Sequence, residues 1–332
     1  MENRLIVTSS PHIHNGESIP VVMYNVVAAL APGALVGIYV FGFPALKMII
    51  TCIIFAILSE YFFQKIAKRK VTISDGSAVV TGLLLAMNLP SAAPWWVGAL
   101  GSVIAIIIGK QVFGGLGHNP FNPALVARVF LLISFPVQMT KWMKPAVGSF
   151  FHPDMVTEAT PLGLVKEDIL LHGHIVNASK VSLFDLFVGN VGGCIGEVSA
   201  LALIAGGIYL IYRGYVRWQI PVFFILTVFV FTGIFWLIDP SKYINPMYHV
   251  LSGGLMLGAF FMATDMVTSP ITEKGMIIFG IGCGLLTSII RLWGGYPEGV
   301  SFAILLMNAC VPIIDRFTRP KKFGVIENGK SN

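Results

Sequence analysis

Charge is what this 332-residue sequence has least of. Only 11% of its residues are Asp, Glu, Lys or Arg, against 55% hydrophobic, whereas soluble domains carry about 25% charged residues. So few charges cannot cover a water-exposed surface on a chain of this length. A soluble globular protein is excluded, and lipid replaces water as the solvent. Cysteine is also scarce: Cys52, Cys194, Cys283 and Cys310 lie far apart in apolar stretches, with no CxxC pair. This excludes a four-thiolate zinc or iron–sulfur site built by the chain alone. Buried packing is then the role of the thiols, although one remains free to join a cluster shared between subunits. Walker loops and HExxH motifs are absent, and no metal site or catalytic residue is assigned. Residues 1–20 are polar and the first apolar run is too long for a leader's core, so no cleavable signal peptide is expected.

What is present is a series of apolar runs. A helix needs about 20 mostly apolar residues to cross a bilayer, and packed bundles tolerate shorter, broken ones. Charge and turn signals delimit ten candidates: 21–42, 45–64, 76–90, 95–113, 120–137, 194–212, 218–238, 246–265, 275–293 and 298–316. The net charge of +6 does not point to nucleic acid, because the basic residues form short clusters between these runs. Lys65, Lys68, Arg69 and Lys70 follow the second run, Arg213 and Arg217 the sixth, and Arg316, Arg319, Lys321 and Lys322 the tenth. An even span count puts all three clusters and both termini on one side, the cytoplasm by the positive-inside rule. The other side is nearly free of Lys and Arg, apart from Lys242 and the long segment 138–183.

The fold expected is an all-α integral membrane protein of about ten transmembrane helices in two inverted five-helix halves. Its parts are a cytoplasmic tail 1–20, a first half 21–137, an extracytoplasmic loop 138–183, a second half 184–316 and a cytoplasmic tail 317–332. Internal similarity supports the halves. Gly76 to Pro90 and then Gly114-Gly115 have counterparts in Gly253 to Pro270 and then Gly294-Gly295. Matching interrupted spans point to a binding site at the repeat interface.

Arg128 stands out inside the fifth run, since a guanidinium in a bilayer costs several kcal/mol, on the order of the insertion scales, unless paired. It follows Asn119-Pro120-Phe121-Asn122-Pro123, which leaves backbone groups for protein or a polar ligand to satisfy. Asn119, Asn122 and Arg128 are therefore the candidate intramembrane polar cluster. Asp265, in Thr264-Asp265-Met266-Val267-Thr268, is a lesser candidate for ion or cofactor contact. Asp75, Glu197 and Arg291 sit near span ends and read as snorkelling side chains. Asn25 and Asn308 read as bonds across helices.

Three motifs then coincide: Ser9-Ser10-Pro11-His12-Ile13-His14, the run from Gly114 to Arg128, and Thr157-Glu158-Ala159-Thr160-Pro161-Leu162. Together they resemble the D subunits of Rnf complexes, which are ion-translocating ferredoxin:NAD oxidoreductases. These are similar to the B subunit of sodium-translocating NADH:quinone oxidoreductase, and the resemblance covers essentially the whole chain. It implies FMN joined to a loop threonine by a phosphoester, within an Asp-x-x-(Ser/Thr)-Gly-Ala-Thr pattern. Asp154, Thr157, Ala159 and Thr160 occupy the matching positions, with Thr160 the acceptor and Glu158 standing where the family usually has a small residue. It further implies a noncovalent riboflavin, a flavin transferase acting outside the cytoplasm, and a place in the prokaryotic cytoplasmic membrane. The implied partners are the A and E membrane proteins of the Rnf complex, its G flavoprotein and its soluble B and C iron–sulfur proteins. From the residues alone, a flavin-free permease for a small polar solute or ion is the competing reading.

Overall fold

The computed structural model describes residues 17–145 and 157–319; the motif at residues 9–14, Asp154, Lys321 and Lys322 lie outside them. In chain order the helices are α1 (Ile19–Phe41), α2 (Phe43–Ile66), α3 (Ser77–Met87), α4 (Trp95–Ile106), α5 (Pro123–Ser134) and α6 (Pro136–Met139). There follow α7 (Pro161–His172), α8 (Leu183–Val188), α9 (Ala200–Tyr212), α10 (Gln219–Ile238), α11 (Pro246–Leu251), α12 (Leu255–Leu257), α13 (Glu273–Trp293) and α14 (Val300–Phe317). Among the described residues no sheet forms, only the isolated bridges Pro90–Cys194 and Met143–Thr157. The chain is an all-α membrane protein. The helices α1, α2, α10, α13 and α14 are long and apolar enough to cross a bilayer, and α3, α4, α5 and α9 are shorter apolar helices.

The short helices correct the expected spans. The third, 76–90, yields an eleven-residue helix, which at 1.5 Å per residue reaches about 17 Å, roughly half the hydrocarbon thickness. The eighth, 246–265, is broken into α11, a turn at Ser252 to Gly254, α12 and a π-helical turn at Gly258–Met262. The sixth starts at Ala200 rather than 194. Residues 194–196 instead pair with the end of α3: Ile195 N–H donates to Leu89 O at 3.1 Å and Gly196 N–H to Met87 O at 2.7 Å. Two frayed ends thus satisfy each other inside protein, the condition for irregular backbone at membrane depth.

Packing repeats across the chain. α2 contacts α3 and α4 as α10 contacts α11 and α13, and α4 contacts α5 as α13 contacts α14. α1 meets α9 and α5 meets α14, so equivalent helices of the two sets face each other. Close backbone approach makes the α1–α9 contact: a Cβ at Gly206 would lie 2.0 Å from Ala29 O, and one at Gly37 would lie 2.5 Å from Ile195 O in the segment before α9. The Gly-Gly turns match in position but not in conformation. Gly114 and Gly115 have φ of 127° and 102°, whereas Gly294 has φ −76°.

The described part of the long loop is ordered by one carboxylate. Asp168 of α7 accepts N–H bonds from Asn177 (2.7 Å), Ala178 (2.8 Å) and Val176 (3.0 Å), and the Asn177 amide at 3.1 Å. Burial pushes this carboxyl up, but the N–H donors outweigh it and hold the pKa below the ordinary value. A depressed carboxylate pKa stabilises the fold above the unfolded value and loses that stabilisation as pH falls through the native one. Amide hydrogen exchange at residues 161–180 is therefore expected to be slow at neutral pH and to lose protection below about pH 4, ahead of α13. Equal pH dependence in both segments would contradict this role for Asp168.

Candidate functional site

Three polar sites are built from the residues singled out above, together with residues the spacing did not reveal. The first is the start of α7. Pro161 occupies the first helical position and Thr160 is the N-cap, its hydroxyl accepting the Gly163 N–H at 3.1 Å. This is the ordinary pairing of a capping threonine with an N1 proline. Thr160 is buried, whereas Thr157 and Glu158 are exposed. A small pocket beside it is bordered by Gly192, Gly193 and Glu197 on one side and Ser252 and Gly253 on the other. Tyr248 hydroxyl donates to Pro161 O at 3.1 Å, tying α7 to α11.

Glu197 leads to the second site. Arg128, 3% exposed, directs Nη2 at Glu298 Oε2 (3.3 Å) and Cys194 Sγ (3.8 Å). Its Nη1 has no hydrogen-bond partner in the structure, and neither has Glu298 Oε1. Cys194 donates from Sγ to Asn88 O at 3.1 Å and from its backbone N–H to Glu197 at 3.4 Å. The ligand-type atoms of Cys194, Glu197 and Glu298 lie within 4.8 Å of one another. Cys194 is thus part of a polar cluster, which corrects its reading as a packing hydrophobe. Cys52 and Cys283 are buried, and Cys310 is exposed.

Arg291 does not snorkel. It is 4% exposed and donates to the carbonyls of Glu298 (2.8 Å), Gly253 (3.0 Å), Ser252 (3.1 Å) and His249. The broken eighth span leaves the His249, Ser252 and Gly253 carbonyls unpaired, so one guanidinium clamps the turn between α11 and α12 and ties it to Glu298 O, just before α14. Glu197 does not snorkel either; it accepts the Cys194 N–H and packs on Gly254. Asn308 of α14 donates to Thr268 O at 2.7 Å, so it ties α14 to the turn before α13 and does not bond to a second helix.

The third site is a cavity of about 130 Å³ between the two helix sets, with mostly apolar walls and a few polar groups. Asn119, Asn122, Asp265, Thr264, Ser77 and Lys110 supply those groups. Asn122 caps α5, accepting from Ala124 (3.0 Å) and Leu125 (3.3 Å), and donates to Met262 O in the π turn. Asp265 accepts from Thr268 Oγ1 at 3.2 Å. The structure thus brings Asn119, Asn122 and Asp265 together. Arg128 does not line this cavity; it belongs to the Glu298 cluster farther along α5.

Spacing also missed a buried ion pair on the cavity wall. Lys110 Nζ lies 2.8 Å from Glu60 Oε1, with side chains 2% and 1% exposed. Lys110 also donates to Ser77 Oγ at 2.6 Å, and Gln111 and Gln64 donate to Glu60 at 2.7 and 3.2 Å. A π-helical turn at Ile107–Gln111 lets the consecutive residues Lys110 and Gln111 both reach one carboxylate. The readable signal was one acid and one base inside otherwise apolar spans.

The comparisons agree with this architecture over nearly the whole chain. The NQR2, RnfD, RnfE family model matches residues 6–324. The chain is 51% identical over 328 residues to the D subunit of the Na+-translocating ferredoxin:NAD+ oxidoreductase complex of Acetobacterium woodii, covering 98% of this chain and 96% of that one. It is 48% identical to the D subunit of the proton-translocating ferredoxin:NAD+ oxidoreductase complex of Clostridium ljungdahlii, with 97% of each chain covered. The D subunit of the ion-translocating oxidoreductase complex of Cronobacter sakazakii is 42% identical, covering 96% of this chain and 98% of that one. A full-length match of this kind, on a chain whose interrupted helices surround a mostly apolar cavity with a few polar groups, assigns the chain to the NQR2, RnfD, RnfE family.

Proposed function

We propose that the chain is the D-type membrane subunit of an ion-translocating ferredoxin:NAD+ oxidoreductase complex. In this reading it carries FMN esterified to Thr160 and holds a second, noncovalent flavin at Asn119 and Asn122. The relatives' names support the complex. For the covalent flavin the carrying observation is the position of Thr160 at the N-terminus of a twelve-residue helix. That helix end offers a positive dipole end, a fitting place for a phosphate, and the Leu162 N–H, since Pro161 has no N–H and those of Gly163 and Leu164 are bonded to Thr160. Glu158 departs from the family pattern, but its side chain is exposed and its charge is screened by water. The cavity fits a flavin ring system in kind: apolar walls, with donors and acceptors from Asn119, Asn122, Thr264 and Asp265.

A bound flavin supplies one- and two-electron redox chemistry. The protein's part is to hold, orient and tune it. Thr160 and the α7 terminus would hold the phosphate, and Asp265, beside the Lys110–Glu60 pair, would set the field in the cavity. The basic clusters support a topology with both termini in the cytoplasm and Thr160 outside, where a flavin transferase would work. The five-plus-five division, with one half inverted, accounts for the repeated packing. The partners are the A, B, C, E and G proteins of the Rnf complex.

Acid precipitation of denatured protein tests the two flavins separately. Wild-type protein is expected to release a flavin to the supernatant and retain flavin fluorescence in the pellet. Asn122→Leu should abolish most of the released flavin and leave the retained one. Absence of flavin from both fractions, in cells expressing the transferase, would overturn the reading and favour a permease.

A further inference from the structure

Lys242 and the lysines of the long loop were the exceptions to the charge pattern, and two of them meet in space. A cavity of about 260 Å³ lies between α7, the α10–α11 connection and the end of α13, and the Thr160 pocket is separate from it. Lys166, Lys242, His249 and Arg291 line it, with Tyr243 and Trp293 as aromatic walls. Among the described residues no carboxylate lies within ion-pair distance of Lys166, Lys242 or Arg291. Lys166 donates only to Gly294 O, and partial burial lowers its pKa below the ordinary value. His249 is 3% exposed, and its Nδ1 has no partner. Basic groups without an acid line a concave site, and an unused imidazole nitrogen is buried in its wall.

The surroundings identify the anion. Trp293 packs edge-on against Phe231 and Phe235, at 6.2 and 5.0 Å, and Phe235 packs against Tyr243. Ile234, Leu237 and Ile238, at the same end of α10, are 51%, 74% and 71% exposed. An aromatic cluster at a helix end beside an exposed apolar face is the arrangement of a membrane interface. Lysines at that depth attract anionic headgroups.

We infer that this cavity binds the phosphate headgroup of an anionic phospholipid, whose chains run along the exposed face of α10. The site is independent of the flavins and is not needed for either. It gives the exceptional lysines a counter-charge that the chain itself does not provide.

The test uses the full-length protein, delipidated in neutral detergent and titrated with phosphatidylglycerol, with retained lipid counted by native mass spectrometry. Wild-type protein is expected to retain phosphatidylglycerol over phosphatidylcholine. Lys166→Gln/Lys242→Gln should weaken retention about tenfold or more. Lys242→Glu, on an exposed side chain that leaves the fold alone, should weaken it in the same direction. Equal retention by wild type and Lys242→Glu, or of the two lipids by wild type, would overturn the proposal. So would displacement of the lipid by millimolar sodium phosphate, which would make the ligand a soluble phosphate. Retention of flavin by all three proteins would keep this outcome distinct from the redox reading.

Discussion

Lys110→Met is expected to destabilise the folded chain by about 3–5 kcal/mol, the range for removing one partner of a buried ion pair. Glu60 is 1% exposed, and the Lys110 ammonium is its cationic partner. Without it the carboxylate keeps only the amide donors of Gln111 and Gln64. Those bonds solvate the charge but do not neutralise it. Glu60→Gln leaves the ammonium with Ser77 Oγ and should cost somewhat less, because a long amine relaxes toward the adjoining cavity. The double variant Glu60→Gln/Lys110→Met removes both charges and is expected to recover much of the loss. Replacing a whole buried pair is often near neutral. Thermal unfolding of the four proteins in one detergent closes the cycle. Additive losses in the double variant would show that the pair is not coupled.

Thr160→Ala is expected to remove covalent flavin entirely, since no other hydroxyl occupies that cap. The substitution also removes the bond to Gly163 N–H, at a cost of about 1 kcal/mol. Stability and chemistry must therefore be separated. Thr160→Ser keeps both the cap and an acceptor hydroxyl and should retain the flavin. Thr160→Asn keeps a capping side chain but offers no hydroxyl, so it should fold like wild type and carry no covalent flavin. In-gel flavin fluorescence of denatured protein reads all three. Fluorescence persisting in Thr160→Asn would move the attachment point elsewhere.

Much of the site was legible because its elements are local. Asn-Pro-Phe-Asn-Pro announced a broken helix start, and Asn122 is the cap of α5. Thr160-Pro161 has the form of a cap followed by an N1 proline, and α7 begins there. What stayed hidden is long-range. Arg128 called for a partner, but Glu298 lies 170 residues away and nothing in its neighbourhood marks it. Residues 194–196 have the composition of a span, yet their backbone pairs with the end of α3. The Glu60–Lys110 pair depends on a π turn, which displaces a side chain without leaving a compositional trace. Arg291 read as a snorkelling residue because its true partners are carbonyls released by a helix break.

The central claim, a flavin-bearing redox subunit, rests on Thr160. Mass spectrometry of the peptide spanning Asp154 to Leu162, from protein expressed with a flavin transferase, tests it most directly. The predicted result is a peptide heavier by one FMN less one water, with fragmentation placing the adduct on Thr160. An unmodified peptide, or an adduct on Thr157, would contradict it.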